Sequence, residues 1–414
     1  MVAESITSQV PGTFAYNTVK DRWPKILTKI IDQLHRRYAE VKSLLGQDGA
    51  DELTTVLNNI AEMKYRMVTN KELIKFDESS PNATYWNDKI EKLEKSKQNF
   101  WFEGEWLFIE CYMYRRLHEF LSKTKHIKDI DMFMFEKDEA LGAAIPCMEK
   151  IASNLDQYNQ REMLLISLWA NKYDLSLSGG DATLASTYFL DHLKEWDGNV
   201  LCDDSRKLFY YYSEAMPMRR IDIVADNGGL EFFADLCLAV KFLKHNTAQS
   251  VKFHLKPYPW FVSDITVRDA FSMINFLNTN SSRCLKELGL VVEQLIKEDK
   301  LSFCDHEFWN LGAPYNEMKE IATDLYEDLK NNSNLVIFKG DLNYRKLVGD
   351  KTWEPTTPFK ESLSGFDVSP LLALRTLKAE TVAGLDESTY TKMQSESDWM
   401  INGNFGLIQF IPPQ

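Results

Sequence analysis

The 414-residue sequence has no CxxC pair, no run of 18 apolar residues, no block of basic residues and no nucleotide-binding glycine fingerprint, and each absence removes a class of function. Its six cysteines, Cys111, Cys147, Cys202, Cys237, Cys284 and Cys304, are scattered and sit mostly in apolar runs such as "ADLCLAV". That usage suits reduced core thiols in an intracellular protein and argues against a zinc site or a disulfide framework. Any metal must then be held by oxygen. The opening stretch "MVAESITSQVPGTFAYNTVKDRWPK" has no apolar core of the kind a signal peptide carries, so an intracellular location is expected, cytoplasm and/or nucleus, with no membrane partner. Against 61 Asp and Glu stand 48 Lys and Arg, and the formal charge of −13 is spread along the chain. No direct nucleic-acid partner is expected from that balance. Neither GxxxxGK[ST] nor GxGxxG occurs, so ATP and NAD are not suggested. No two histidines stand at i, i+4 and none is near Asp226, which leaves no histidine with an evident catalytic role.

What is present is apolar patterning of two kinds. In "PKILTKIIDQLHRR", residues Ile26, Leu27, Ile30, Ile31 and Leu34 recur at helical spacing, with Pro24 suited to a first turn. "DELTTVLNNIAEMKYRMV" and "WFEGEWLFIECYMYRRLHEFLSK" have the same period, so the chain to about residue 165 reads as helical. From "RIDIVA" onward, β-rich runs alternate with amphipathic helices: "GLEFFADLCLAVKFLK", "VKFHLK", "ITVRDAFSMINFLN", "LSFCDHEF", "NEMKEIATDLYEDLKN", "NLVIFKGD", "NYRKLVG" and a last strand in "LLALRTL". Such alternation predicts an α/β fold with a parallel sheet and crossover helices. The expected organisation is an all-helical N-terminal domain over 1–170 and an α/β catalytic domain over 171–414. Gly179-Gly180-Asp181 punctuates the pattern near the join.

Parallel sheets bind ligands beyond the carboxyl ends of their strands, which gives weight to polar residues there. Asp226-Asn227-Gly228-Gly229 ends one strand, and the next runs through "PYPWFVS" to Asp264 before another helix. Neighbouring strands lie about 4.8 Å apart, so Asp226, Asn227 and Asp264 can converge as an oxygen-rich site for a hard divalent cation. The glycines let backbone N–H groups at the following helix approach an anion. The same residues also suit a tight βα turn with Asp226 as a helix cap. Lys339-Gly340-Asp341, with Asn343, Tyr344 and Arg345 following at a helix start, and Arg375 with Lys378 at another strand end, add groups that suit a phosphate pocket; singly, each is an ordinary surface charge. Asn171 and Asp174 near the join, and Glu110, Arg115 and Arg116 from the helical region, are further candidates to face the pocket, although turn formation and surface pairing account for them as well.

"ADNGGLEFFADL", "WFVSDIT", "FKGDLNYRKLVGD" and "RTLKAE", with "FAYNTVKDRWPKILTKIID", "ECYMYRR" and "LWANKYDLSLSGG", closely resemble the damage-control phosphatase family, in consistent order over nearly the whole chain. The RTxK element marks subfamily III, the sugar-phosphate phosphatases also described as acidic residue methyltransferases. The resemblance implies a Rossmann-like core with a helical N-terminal domain, and hydrolysis of fructose 1-phosphate and fructose 6-phosphate. It implies Mn²⁺, Co²⁺, Ni²⁺ or Mg²⁺ on Asp226, Asn227 and Asp264, with Asp226 and Asp264 catalytic. Substrate would be lined by Asp226, Asn227, Asp341, Leu342, Asn343, Tyr344, Arg345 and Lys378. It also implies an alternative, an S-adenosylmethionine-dependent glutamate carboxyl methyltransferase with a sliding-clamp protein as substrate, in which Glu231 and Asp264 contact the cofactor. "ADNGG" is a loose approximation to the glycine turn of such an enzyme, and the oxygen ligands with Arg and Lys groups favour phosphate.

Overall fold

Residues 3–173 and 188–413 are described by the computed structural model of the protein, so Asp174 and the Gly179-Gly180-Asp181 punctuation lie outside the described residues. The chain divides into two compact units, Met1–Phe135 and Glu136–Gln414. The first is helical, as the 3.6-residue periodicity requires. Its main helices are α1 (Trp23–Arg36), α2 (Tyr38–Val68, broken at Gly46), α3 (Ala83–Lys95) and α4 (Trp106–Ser122). Helix α1 buries Trp23, Leu27, Ile30 and Leu34, one face of its apolar set, and the Trp23 indole donates to the buried Glu110 of α4 at 3.1 Å. Arg116 lies 3.7 Å over the Phe76 ring and pairs with Glu119, while Arg115 donates to the Pro81 carbonyl at 3.1 Å. All three charged candidates of α4 are thus engaged inside their own unit.

The second unit carries helices α5 (Met134–Ser153), whose first two residues still belong to the first unit, α6 (Gln160–Ala170), α7 (Ser205–Ala215), α8 (Gly229–Lys244), α9 (Val267–Thr279), α10 (Arg283–Lys297), α11 (Thr323–Asn332) and α12 (Gly340–Val348). The expected boundary at 170/171 falls within this unit, because Cys147, Met148 and Ile151 of α5 and Leu164, Leu165, Ile166, Leu168 and Trp169 of α6 join the same buried cluster as the sheet. Capping boxes start two of these helices, Asn159 with Glu162 for α6 and Thr266 with Asp269 for α9.

The sheet strands are β1 (Val200–Asp203), β2 (Met218–Val224), β3 (Ala248–Leu255), β4 (Leu301–Asp305), β5 (Leu335–Lys339), β6 (Leu371–Thr376) and β7 (Gly406–Ile411), in the order β1-β7-β6-β5-β2-β3-β4. The five runs read from the sequence are β2 to β6, all parallel to one another. Two strands escape that reading. β1 has only four residues, too few to show alternation, and β7, antiparallel to β6, follows the segment taken as the last strand. From β2 the chain steps outward to β3 and β4, then returns to β5 on the opposite flank of β2. The connections therefore diverge between β2 and β5, the switch point at which doubly wound sheets take their ligands. Helix α8 is buried almost all round and seats Phe232 against Phe253 of β3 and Phe303 of β4, ring centroids 5.4 and 6.0 Å apart. No helix among the described residues is long and apolar enough to cross a membrane.

Candidate active site

Beyond Val224, residues 225–228 turn from β2 into α8, and the segment after β3 clasps this turn from the side. The Ile265 N–H donates to the Asp226 carbonyl at 2.9 Å and the Gly228 N–H to the Ser263 carbonyl at 2.8 Å, so Asn227 and Asp264 face each other in an antiparallel bridge. To return, the chain holds Phe261 at φ +44° and Val262 at φ +72°. For a β-branched residue that conformation is costly, and it persists only where surrounding contacts impose it.

The convergence expected of Asp226, Asn227 and Asp264 is thus a product of the backbone. All three are buried, as is Glu231 one turn into α8. The Asp226 Oδ2 accepts from the Asn171 and Asn227 carboxamides at 2.9 and 3.0 Å, and the Glu231 Oε2 accepts from the same two amides at 2.7 and 2.9 Å. Ser263 Oγ donates to Asn227 Oδ1 at 2.7 Å. Burial, then the negative charges of Glu231 and Asp264, hold the Asp226 carboxyl well above the carboxylate range, against the opposing pull of Lys256 and Lys378. Lys256 itself lies 3.4 Å from Asp264 Oδ2. Such crowded acids are relieved by a cation, and the donors are all oxygen, the chemistry a hard divalent ion prefers. Among the described residues no three His, Cys, Asp or Glu side chains form a metal-holding group. The oxygen donors that could hold such an ion are the carboxylates of Asp226 and Asp264 and the carboxamide of Asn227, whose Oδ1 accepts from Ser263.

A second layer of charge stands behind Glu231. Lys339, the last residue of β5 and 1% exposed, donates to the Ser167 carbonyl and hydroxyl at 2.6 Å each and pairs with Asp235 at 3.0 Å and Glu231 at 3.4 Å. Burial pulls this ammonium down, but Asp235 and Glu231 outweigh it and leave Lys339 above its usual range. Burial raises Asp235 to about 7 despite Lys339 beside it. Lysine at the end of an all-buried strand was visible in "VIFKG" as a strand end; its place as a counter-ion had no local signal.

Strand β5 comes so close to Asp226 that Gly340, at φ +81°, has no alternative: a Cβ there would lie 1.8 Å from Asp226 Oδ2. Asp341 follows at the start of α12, and its Oδ1 accepts from Arg375 Nε at 2.8 Å and from the Lys378 backbone N–H at 3.1 Å. The Lys378 ammonium, partly exposed, donates to the Asn171 carbonyl at 2.8 Å. Asn171 also accepts from Thr376 Oγ1 at 2.6 Å, so this one residue ties the end of α6 to the ends of β2 and β6. Its weight in the site exceeds what its turn-forming character suggested.

Four residues expected to line the phosphate pocket are spent on the scaffold. Arg345 makes a two-pronged ion pair with Asp350 at 2.9 and 3.0 Å. Asn343 donates its amide to the carbonyls of Lys339, Ala225 and Val224 at 2.7, 3.2 and 3.3 Å and accepts from Tyr315 at 2.5 Å. Tyr344 stacks on Phe359, lies under the Arg375 guanidinium and donates to the Ala383 carbonyl at 3.2 Å. Leu342 is buried. Asp341 and Lys378 remain beside the acidic site, and Lys256 joins them.

Residues 18–393 match the model of the damage-control phosphatase ARMT1-like domain. The chain is 35% identical to the rat damage-control phosphatase ARMT1, with 99% of this chain and 98% of that one aligned. It is 34% identical to the human protein of the same name over 100% of this chain and 99% of the relative. Among solved structures, a DUF89 family protein from Pyrococcus horikoshii aligns over 93% of this chain and 97% of its own, at 15% identity and a TM-score of 0.45.

Proposed function

Since the chain belongs to the ARMT1-like damage-control phosphatase family, we propose that it is a metal-dependent phosphatase of small sugar phosphates, fructose 1-phosphate and fructose 6-phosphate in particular. One observation carries this reading: buried oxygen donors from two separate loops meet at the switch point of the sheet, with a lysine and a helix start alongside. Asp226, Asn227 and Asp264 would hold the divalent cation. Bound there, it would neutralise phosphoryl oxygens and favour attack by water.

The remaining groups follow from the geometry. Lys378, partly exposed and bonded through its ammonium to the Asn171 carbonyl, can turn that ammonium to an equatorial phosphate oxygen and stabilise charge as the bond to the sugar oxygen breaks. The N–H groups that open α12 point the same way as its dipole and favour the anion. Arg375 acts at one remove, fixing Asp341 and through it the Lys378 backbone. Asn171 orients the carboxylates of Asp226 and Glu231. Glu231 has Oε2 occupied by two amides and Oε1 facing Lys339, which suits a residue that orients the site rather than one that contacts a sulfonium cofactor.

The test is phosphate release from fructose 1-phosphate with Mn²⁺, with EDTA, and by the Asp226→Ala and Asp264→Ala variants. Metal-dependent release, lost with EDTA and in both folded variants, is the expected outcome. No release with any divalent cation, together with methyl transfer from S-adenosylmethionine to a protein glutamate, would replace this reading with the methyltransferase.

A further inference from the structure

A separate cluster of side chains spans strands β2, β3 and β4 and takes no part in the site above. His254 of β3 pairs with Cys304 of β4 across the sheet. Its Nδ1 lies 3.4 Å from the Cys304 Sγ, and its Nε2 lies 2.8 Å from Oδ1 of Asp222 on β2. Asp222 is held in turn by Arg220 Nε at 2.7 Å. The order of thiol, imidazole and carboxylate, with thiol and carboxylate on opposite ring nitrogens, is the one in which a histidine takes a thiol proton and a carboxylate steadies the resulting imidazolium.

The charged groups around this cluster are Arg220 and Asp222 of β2, Lys252 of β3 and Asp328 of α11, where Arg220 and Lys252 both bind Asp328. Trp309 closes one side, its ring 5.4 Å from the imidazole, and Lys346 donates to the Trp309 carbonyl at 2.7 Å. His254 and Asp222 are fully buried, yet Cys304 is partly exposed. The other cysteines differ. Cys111, Cys147 and Cys237 are buried, burial pushes the Cys147 and Cys202 thiols up to about 12, and Cys284 packs against the core with Ser282 Oγ and the Glu149 carbonyl as its polar contacts among the described residues. The Cys304 Sγ also lies 3.4 Å from the Phe253 carbonyl, so the thiol stands between a backbone acceptor and the imidazole.

We propose that Cys304 is a reactive thiol, activated by His254 and Asp222, and a site of oxidation by hydroperoxides. The Cys304 proton passes to His254 Nδ1. The sulfur attacks the peroxide, an S–O bond forms as the O–O bond breaks, and the departing hydroxide or alkoxide takes the proton back from His254. Sulfur is oxidised to the sulfenic acid while the hydroperoxide is reduced to water or alcohol. Burial opposes the imidazolium, but the hydrogen bonds to Asp222 and Cys304 outweigh it and raise His254 to about 9, in agreement with this. The assignment is independent of the phosphatase reading.

The test is residue-resolved mass spectrometry of the full chain, after timed iodoacetamide exposure from about pH 5.5 to about 9, and after hydrogen peroxide with dimedone as the sulfenic acid trap. Cys304 should be alkylated at pH 7 roughly tenfold faster than Cys284, and the dimedone adduct should fall on Cys304. His254→Gln should lower the Cys304 rate roughly tenfold and change its dependence on pH, and Asp222→Asn should move it in the same direction. A native Cys304 no faster than Cys284 overturns the proposal without recourse to a variant. So does a fast Cys304 that is unchanged in the folded Asp222→Asn and His254→Gln proteins.

Discussion

Gly340 has no side chain because Asp226 occupies the space where one would stand. Gly340→Ala adds a methyl 1.8 Å from Asp226 Oδ2 at a residue with φ +81°, so the carboxylate must move. Displacing a positioned group by about 1 Å costs on the order of 100-fold in turnover, and phosphate release should fall by about that much while the circular dichroism spectrum persists. Lys339 makes a different demand. It faces two buried carboxylates, so Lys339→Met strips both of their counter-ion, and a loss of about 3–5 kcal/mol is expected on urea unfolding. At this scale the sequence pointed to Asp226 and Asn227 as polar residues that end an apolar strand, and to Asp264 as the carboxylate in the segment after the next strand. It gave no means of separating Lys378 from Arg345. Both are basic residues beyond a strand, and only the position of Asp350 shows that the Arg345 guanidinium is already engaged.

Helix α8 links the element scale to the site, since its first turn carries Glu231 and its body packs on β3 and β4. Phe232 is fully buried against the rings of Phe253 and Phe303. Phe232→Ala should therefore cost about 3–5 kcal/mol of stability, seen as a lower urea midpoint, with smaller losses of activity in the protein that remains folded. The helices and the five parallel strands were legible because their periods of 3.6 and 2, and their apolar runs, are written in consecutive residues. β1 and β7 were not, since a four-residue strand and a short run before Pro412-Pro413 carry too little pattern, and their pairing with each other spans some two hundred residues of chain. Nor did any period announce the loop that holds Phe261 and Val262 at positive φ; its conformation is imposed by the bonds it makes to the β2 turn.

Across the whole molecule, pH acts through pairs that only the fold assembles. Burial disfavours the His254 cation, but the hydrogen bond to Asp222 and the contact with Cys304 prevail and raise it to about 9. A histidine raised in the folded state stabilises it fully below the unfolded value near 6.5, and that contribution is lost as pH rises through about 9. The melting temperature should fall across this window in the native protein, and less steeply in His254→Gln. The division of labour between sequence and fold follows from distance along the chain. Alternation, capping residues, the oxygen-donor set and the absence of any nucleotide fingerprint reside in neighbouring residues, and so the sequence alone determined an α/β core with polar strand ends. Which donors gather around Asp226 and which are engaged by the scaffold was decided only by tertiary structure. Ser167 and Asn171 come from one segment and Asp226 and Lys339 from two others, and the hydrogen bonds and charges that set their roles exist only once α6, β2 and β5 come together.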